Sequence, residues 1–404
     1  DDWIFDISIT ANRPDCQSIY GIAREIAAIL EQEVKTPDLS YTEDDVTLDG
    51  FKVTVDCPEL CPRYSAHYVH DVKIAESPAW MKRRLALVGI GAISNVVDIT
   101  NYILRELGQP MHAFDYTTLE GNAINVRRAK DGEKIVTLDE TELTLTTENM
   151  LICDGVKPVA LAGVMGGLNS EIRETTTTVL FESAKFARDN IRRTSKAVGK
   201  ASDSSARYAK GVDEYATVMA MKRALHLIEE LNCGKVSKLH VDANTGNSLE
   251  TKELTVSIDR VNKVLGITVP NEEILRIMKN LTFNPVIDGD KLTLQIPAYR
   301  EDMETYQDVA EEVIRMYGYE HVIPSFMPSA KVTSGGENLV QKTERRLKNA
   351  LCGVGAYECI HYSFFSPSDL DLLKFESVSE NYISDSYKYV VGRVSLKELH
   401  RVQD

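Results

Sequence analysis

From about residue 123 to residue 183 the chain runs NAINVRRA (122–129), EKIVTL (133–138), ELTLT (142–146), MLICD (150–154), VALAGVMGG (159–167) and TTTVLFESA (176–184). Each run is short and apolar or alternating, and Gly, Asn and Asp turns separate them, which is the pattern of strands. The flanks carry a different period. NRPDCQSIYGIAREIAAIL (12–30) sets Ile19, Ile22, Ala23 and Ile26 on one helical face, with Asp15 at the N-cap position. SPAWMKRRLALVGI (77–90) offers Ser77 as an N-cap and Pro78 at the first helical position. FARDNIRRTSKAVG (186–199) reads as a strongly basic helix, and DEYATVMAMKRALHLIEEL (213–231) carries Val218, Met221, Leu225 and Ile228 on one face. With strands at FKVTVD (51–56) and RYSAHYVHDVKI (63–74), residues 1–245 form an α+β domain with a strand-rich centre.

The 404 residues are too many for one ordinary domain, so two to four are expected. DANTGNSLETK (242–252) reads as a linker. Beyond it, ELTVSI and KLTLQIPA read as strands and IDRVNKVLG, NEEILRIMKNL and YQDVAEEVIRMYG as helices, a small α+β unit over 251–326. After a second linker, IPSFMPSAKVTSGGEN, the helix ENLVQKTERRLKNALCGVG and the apolar strand AYECIHYSFF open a third unit over 332–404. The fold class is therefore α+β and multidomain, with no fixed-period repeat.

Hydrophobic and charged contents of 43% and 26% are those of a globular protein. No run of about eighteen apolar residues is present, so no membrane span is expected. The acidic opening DDWIFDISIT is not a secretory signal. Seven scattered cysteines, with Cys57 and Cys61 in CPELC lacking a second pair, read as reduced thiols in a cytoplasmic protein rather than zinc ligands. A net charge of −15 and a pI of 5.1 exclude broad nonspecific wrapping of nucleic acid.

Several residue groups can bear chemistry, each with a plainer alternative. Asp308, Glu311 and Glu312 fall at i, i+3 and i+4 of a helix, with Asp302 just before it. Such oxygens suit Mg²⁺, or they are a solvated acidic first half-helix. The glycines of AGVMGG (162–167) serve a tight turn or the close approach of another group. Glu182 ends an apolar strand, so it is either at an exposed end or a recognition group in a pocket. Ser202, Ser204 and Ser205 in ASDSSARY are cap hydroxyls or site groups. Arg188, Arg192, Arg193, Lys196 and Lys200 are a solvated face or a local phosphate contact. His112, inside GQPMHAFD (108–115), is a packing residue under a proline turn or a group active near neutral pH.

Six strings in fixed order bind these readings together: ITANRPDCQSIYGIAREIA, VVDITNYILRELGQPMHAFD, ALAGVMGG, VLFESAKF, NIRRTSKAVGKASDSSARYAKGVD and YREDMETYQDVAEEVIRMYGYEHV. Over about 1–375 the chain resembles the beta subunits of bacterial phenylalanyl-tRNA synthetases. The resemblance implies that 1–245 is an editing domain that hydrolyses tyrosine misattached to phenylalanine tRNA. It implies a small Mg²⁺-binding domain at 251–326 and, from 332, the start of an inactive class II catalytic-like module, diverging after about 375. The partners it implies are an alpha subunit, in an α2β2 ligase, and tRNA(Phe); ATP-dependent aminoacylation then belongs to the alpha subunit.

By matching position, His112 stands at the family's editing-site histidine and Glu182 at the glutamate that reads the tyrosine hydroxyl. Gly166 lies in the pocket wall, Ser202 stands where threonine is usual, and Ser204 where alanine is usual. Asp302, Asp308, Glu311 and Glu312 match the Mg²⁺ ligands. The chain departs from the family at Gly91 and Ala92, where Arg-Pro is usual, and in its tail. An amino-terminal tRNA-binding module and a carboxy-terminal anticodon-binding domain are not within it. The departure at Gly91 motivates an alternative: a non-catalytic assembly and tRNA-binding subunit with a decayed editing site.

Overall fold

The structure is a computed structural model that describes residues 3–213, 215–244, 251–325 and 335–360, with the backbone of 364–365 and 390–391. It forms two compact units, Asp1–Pro324 and Ser325–Asp404. The first unit begins with α1 (Ile19–Leu30), β1 (Lys52–Val55), β2 (Arg63–His70), α2 (Ala79–Leu87), α3 (Asn95–Leu107) and β3 (Met111–Asp115). The strand-rich centre supplies β4 (Ala123–Arg128), β5 (Lys134–Val136), β6 (Glu142–Thr144), β7 (Met150–Cys153), β8 (Pro158–Leu161), β9 (Met165–Gly166) and β10 (Val179–Lys185). Then follow α4 (Arg188–Ala197), α5 (Asp203–Tyr208), α6 (Ala216–Glu230) and β11 (Lys235–Asn244). The last elements of the unit are β12 (Lys252–Ser257), α7 (Ile258–Leu265), α8 (Asn271–Asn280), β13 (Val286–Asp288), β14 (Lys291–Ile296) and α9 (Tyr306–Tyr317).

Two sheets build the centre. One has the order β11-β2-β10-β3 and is antiparallel; the other has the order β1-β4-β7-β8-β9. Tyr64, Ala66, Phe114, Leu180 and Ala184 of the first sheet share a core with Ile124, Val126, Leu151 and Leu161 of the second. The other face of the first sheet packs Val69, Ala113, Phe181 and Val236 against Met81, Ile99, Ile103, Ala224 and Ile228 of α2, α3 and α6. Because both faces are covered, every residue of β2 except His70 is buried. The small unit has its own core of Val261, Ile274, Phe283, Leu292, Leu294 and Val313, yet it lies in the same compact unit as the strand-rich part and takes in Ala28 of α1.

Several local expectations are corrected. The N-cap of α1 is Ser18, whose hydroxyl accepts from Gly21 N at 2.9 Å; Asp15 sits in a 3₁₀ turn and pairs with Arg13 instead. Ile19 and Ile26, expected on the buried face of α1, are exposed, and Gly21 and Ala28 are buried. Ser77 does not cap α2; it donates to Asp98 Oδ2 at 2.5 Å, and Pro78 is the N-cap. The expected linkers fall in part on 245–250 and 326–334, outside the described residues, while 242–244 continue β11 and 252 begins β12.

In the second unit, α10 (Leu339–Gly353) follows the expected helix, capped by Asn338. Of AYECIHYSFF, residues 356–360 are irregular rather than a strand. Only Phe364–Phe365 (β15) pairs, with Val390–Val391 (β16), and the rest of the tail lies outside the described residues.

Candidate active site

β10 lies between β2 and β3, and that register makes the site. Glu182 faces His112 across one ladder and Ala66 across the other. Side chains directly opposite in antiparallel strands project to one face about 5 Å apart. His112 and Glu182 therefore open together toward the space between the two sheets. There a cavity of about 280 Å³ is lined by His112, Gly166, Glu182, Ser202, Ser204 and Tyr208, among others. Residues nearly a hundred positions apart in sequence thus meet at one place.

Glu182 is buried at 6% exposure and accepts a hydrogen bond from Tyr64 Oη at 2.7 Å. Burial raises its pKa to about 7, against the lowering effect of that bond. Burial lowers the imidazole of His112 to about 4, so the ring is neutral at physiological pH. Its Nε2 is buried without a hydrogen-bond partner, and the ring stands edge-on to Phe114, with centroids 4.5 Å apart. A neutral histidine with a spare ring nitrogen beside a carboxyl that titrates near 7 is a polar pair poised for a hydroxyl and a water.

The glycines of AGVMGG divide their work. Gly163 has φ +65°, a turn conformation suited to glycine. Gly166 is needed for space: a Cβ there would lie 2.4 Å from His112 Cε1 and 2.8 Å from Nε2. Close approach of the histidine is therefore the reason for this glycine. Gly166→Ala is expected to displace the His112 ring and lower any activity carried by the cavity by roughly a hundredfold, the effect of an ångström-scale misplacement. The overlap should also lower its thermal unfolding midpoint, since overpacking a buried site costs about 1–3 kcal/mol. Steady-state kinetics and a melting curve check both, and an undiminished rate would contradict the role of the contact.

The serines hold the glycine turn in place. Ser202 caps α5, accepting from Ser205 N at 3.0 Å and donating to Val164 O at 2.7 Å. Ser204 donates to Gly163 O at 3.2 Å. The proton of Ser202 is thus spent on a backbone carbonyl, so it positions the wall and is not a free nucleophile in this arrangement. Two tyrosines also belong to the site. Tyr64 holds Glu182, and Tyr208 donates to Ala184 O at 2.8 Å beneath the cavity. Nothing in their spacing marks them; only the register brings them in.

The basic helix α4 leaves Arg188, Arg192, Arg193 and Lys196 exposed, whereas Lys200 is tied to Asp139 and Thr141. Gly91 lies in the exposed approach to α3, and among the described residues, its chain neighbours aside, no atom lies within 4 Å of where its Cβ would stand.

The acidic residues before and within α9 do not share one face. Glu312 is buried and meets Arg300 at 3.0 Å and Arg315 at 2.5 Å. Asp302 pairs with Arg300 at 2.8 Å. Asp308 is spent on the helix cap, accepting from Thr305 N at 2.7 Å, and Glu311 points outward with Asn12 Nδ2 3.5 Å away. Among the described residues no three of these four carboxylates bring ligand atoms within 4.8 Å of one another. As arranged, Asp302, Asp308, Glu311 and Glu312 do not fit a Mg²⁺ cage, because guanidinium groups already neutralise the inner two.

Three family descriptions match the chain in succession: the B3/4 domain over 60–233, the tRNA synthetase B5 domain over 254–319, and the phenylalanyl tRNA synthetase beta chain CLM domain over 323–384. The phenylalanine–tRNA ligase beta subunit of Syntrophus aciditrophicus is 41% identical over 384 residues, 94% of this chain and 48% of that protein. The beta subunit of Geobacillus kaustophilus is 43% identical over 367 residues, covering 91% and 45%. The chain belongs to the phenylalanyl-tRNA synthetase beta-subunit family. It spans about half the length of the curated relatives it matches. An N-terminal fragment of the phenylalanyl-tRNA synthetase beta subunit from Pyrococcus horikoshii aligns over 77% of this chain and 86% of its own length, with 17% identity and a TM-score of 0.40. The residues named as lining the cavity fall in the B3/4 match, and the acidic residues of α9 fall in the B5 match. No helix among the described residues is long and apolar enough to cross a membrane.

Proposed function

We propose that this chain carries the editing site of a phenylalanine–tRNA ligase and hydrolyses tyrosyl-tRNA(Phe). The observation that carries the reading is the convergence of His112, Gly166, Glu182, Ser202 and Ser204 on one cavity. A synthetic pocket built for phenylalanine rejects an analogue that merely adds a hydroxyl only weakly, so a second sieve is useful. Glu182 gains a hydrogen bond from a tyrosine side chain and is left desolvated beside phenylalanine. His112 positions the attacking water or the tRNA 3′ end through its unpartnered Nε2. The serines and Gly166 keep the wall against the histidine.

In the same reading an alpha subunit performs ATP-dependent charging within an α2β2 tetramer in the cytoplasm, and tRNA(Phe) is the shared substrate. Mg²⁺ serves the holoenzyme; on this chain it would compete with Arg300 for Asp302 and Glu312, so no step is assigned to it here. Deacylation of tyrosyl-tRNA(Phe) by the chain tests the reading, and its complete absence would favour the assembly subunit with a decayed site.

The open surroundings of Gly91 allow that alternative to be separated. Gly91→Arg restores the usual family residue at an exposed position where a Cβ meets nothing within 4 Å. It is expected to raise tyrosyl-tRNA(Phe) deacylation several-fold, chiefly through KM, since an added cation strengthens phosphate contact. An unchanged KM would show that position 91 does not contact the tRNA.

A further inference from the structure

A second cluster lies on the opposite face of the four-stranded sheet from the cavity. His67 of β2 and His240 of β11 are direct cross-strand partners. Their rings stack with centroids 5.6 Å apart and an interplanar angle of 12°. Glu43, from the connection between α1 and β1, completes the group: ligand atoms of Glu43, His67 and His240 all lie within 4.8 Å of one another. His67 is buried at 2% exposure, while Glu43 and His240 are exposed. None of the three lines the cavity of the proposed editing site.

The backbone builds this arrangement through a bulge. β11 shifts register between Val236 and His240. Such a shift re-aims side chains and frees backbone groups from the ladder. The carbonyl freed here, Ser237 O, meets His67 Nε2 at 2.8 Å. A carbonyl can only accept, so Nε2 carries the proton and the lone pair of the neutral ring stays on Nδ1. Metal-binding histidines are fixed in this way by a bond from the other ring nitrogen. The bulge also fastens the third residue. Asp44 N donates to Val236 O at 3.0 Å, and Lys238 N donates to Val46 O at 3.2 Å, so the backbone carrying Glu43 is laced to the bulged strand. Tyr41 packs edge-on against His67 at 6.1 Å.

We propose that Glu43, His67 and His240 form a binding site for one divalent transition-metal ion, Zn²⁺ by the chemistry of the donors, with a fourth position left to water. Two imidazoles and one carboxylate suit an ion of borderline softness and do not suit Mg²⁺ or Ca²⁺. Ligand atoms about 2.0–2.1 Å from a tetrahedral Zn²⁺ stand about 3.4 Å apart. The separation of up to 4.8 Å therefore closes by at most about 1.4 Å on loading, a movement that the exposed side chains of Glu43 and His240 can make. The ion pins the 31–51 connection and the edge strand β11 to the buried strand β2. It is a structural clip, separate from the editing chemistry on the other face.

The test titrates Zn²⁺ into the full chain against a chromophoric chelator, with the exposed thiols Cys352 and Cys359 replaced by serine. One Zn²⁺ per chain is expected, with His240→Ala and Glu43→Gln each weakening binding at least tenfold. Co²⁺ loading should give a tetrahedral spectrum without a thiolate charge-transfer band. Zn²⁺ should also raise the thermal midpoint of the parent and not of His240→Ala. Absence of stoichiometric binding, or binding that both variants leave unchanged, overturns the proposal. Both variants should keep tyrosyl-tRNA(Phe) deacylation at the parent level without added metal, which separates this site from the editing reading.

Discussion

Glu182→Gln is expected to lower tyrosyl-tRNA(Phe) hydrolysis by roughly ten- to a hundredfold while leaving phenylalanyl-tRNA(Phe) hydrolysis near its parent level. The range is the free energy of one hydrogen bond to a charged, desolvated acceptor, about 1.5–3 kcal/mol. In the proposed reading the carboxylate accepts from the tyrosine hydroxyl; the amide, nearly the same shape, keeps the packing and loses the charge. Tyr64 donates to this carboxyl in the free chain at 2.7 Å, so a tyrosine substrate joins or replaces a bond that already orients the acceptor. Equal loss on both esters would show that Glu182 supports the fold rather than reads the hydroxyl.

The same residue sets a pH signature. Its carboxyl titrates near 7 because it is buried, so the ratio of tyrosyl to phenylalanyl hydrolysis should rise as pH passes through 7. In Glu182→Gln that ratio should be flat. Stability carries a second signature through linkage. Glu182 has a folded pKa raised from 4.5 to about 7, so its contribution is full below 4.5 and is lost as pH rises through 7. His112 has a folded pKa lowered from 6.5 to about 4, so its contribution is full above 6.5 and is lost as pH falls toward 4. Between 4.5 and 6.5 the two oppose each other. Removing the carboxyl unmasks the histidine, and the urea midpoint of Glu182→Gln should climb more steeply from pH 5 to pH 6.5 than that of the parent.

Much of this site can be read from the chain, but not its geometry. The strands of the centre are legible because turn residues punctuate them, and α6 because its apolar period survives. The pairing of His112 with Glu182 is not legible, because it depends on β10 lying between β2 and β3. β2 and β10 are covered on both faces, so their sequences lack the alternation that would say which side chains share a face. Local caps failed for a different reason. Asp15 and Ser18 are both good capping residues, and the choice was made by Arg13, which binds Asp15 through two nitrogens at 2.9 and 2.8 Å. The face of α9 failed likewise: its carboxylates share a spacing, but Arg13 and Arg300 from other segments, with Arg315 of α9 itself, decide which of them turn inward.

Those arginines support the second large effect. Arg300→Ala is expected to destabilise the first unit by about 3–5 kcal/mol, the cost of leaving buried carboxylates without their partner. Arg300 and Glu312 are each 2% exposed, and Arg300 also holds Asp302. Glu25 bridges Arg13 and Arg315, and both of these reach Glu312, Arg13 at 3.8 Å. The network joins the NRPD turn and α1 to the segment that leads into α9, so two strings far apart in sequence are one structural feature. Burial alone would push the Glu312 carboxyl up, but Arg300 and Arg315 outweigh it and hold it below its usual range. Its folded pKa is thus depressed, so its stabilising contribution is present above the unfolded value of 4.5 and is lost as pH falls through the folded one. Without Arg300 that loss should begin at a higher pH. Arg276→Ala provides the contrast, since its pairs with Glu31 and Glu273 are exposed and should contribute less than about 1 kcal/mol. Urea unfolding of the two variants at neutral pH decides the matter. Equal midpoints would mean that the buried network is no stronger than a surface pair, and that the inner carboxylates of α9 are held by something other than these arginines.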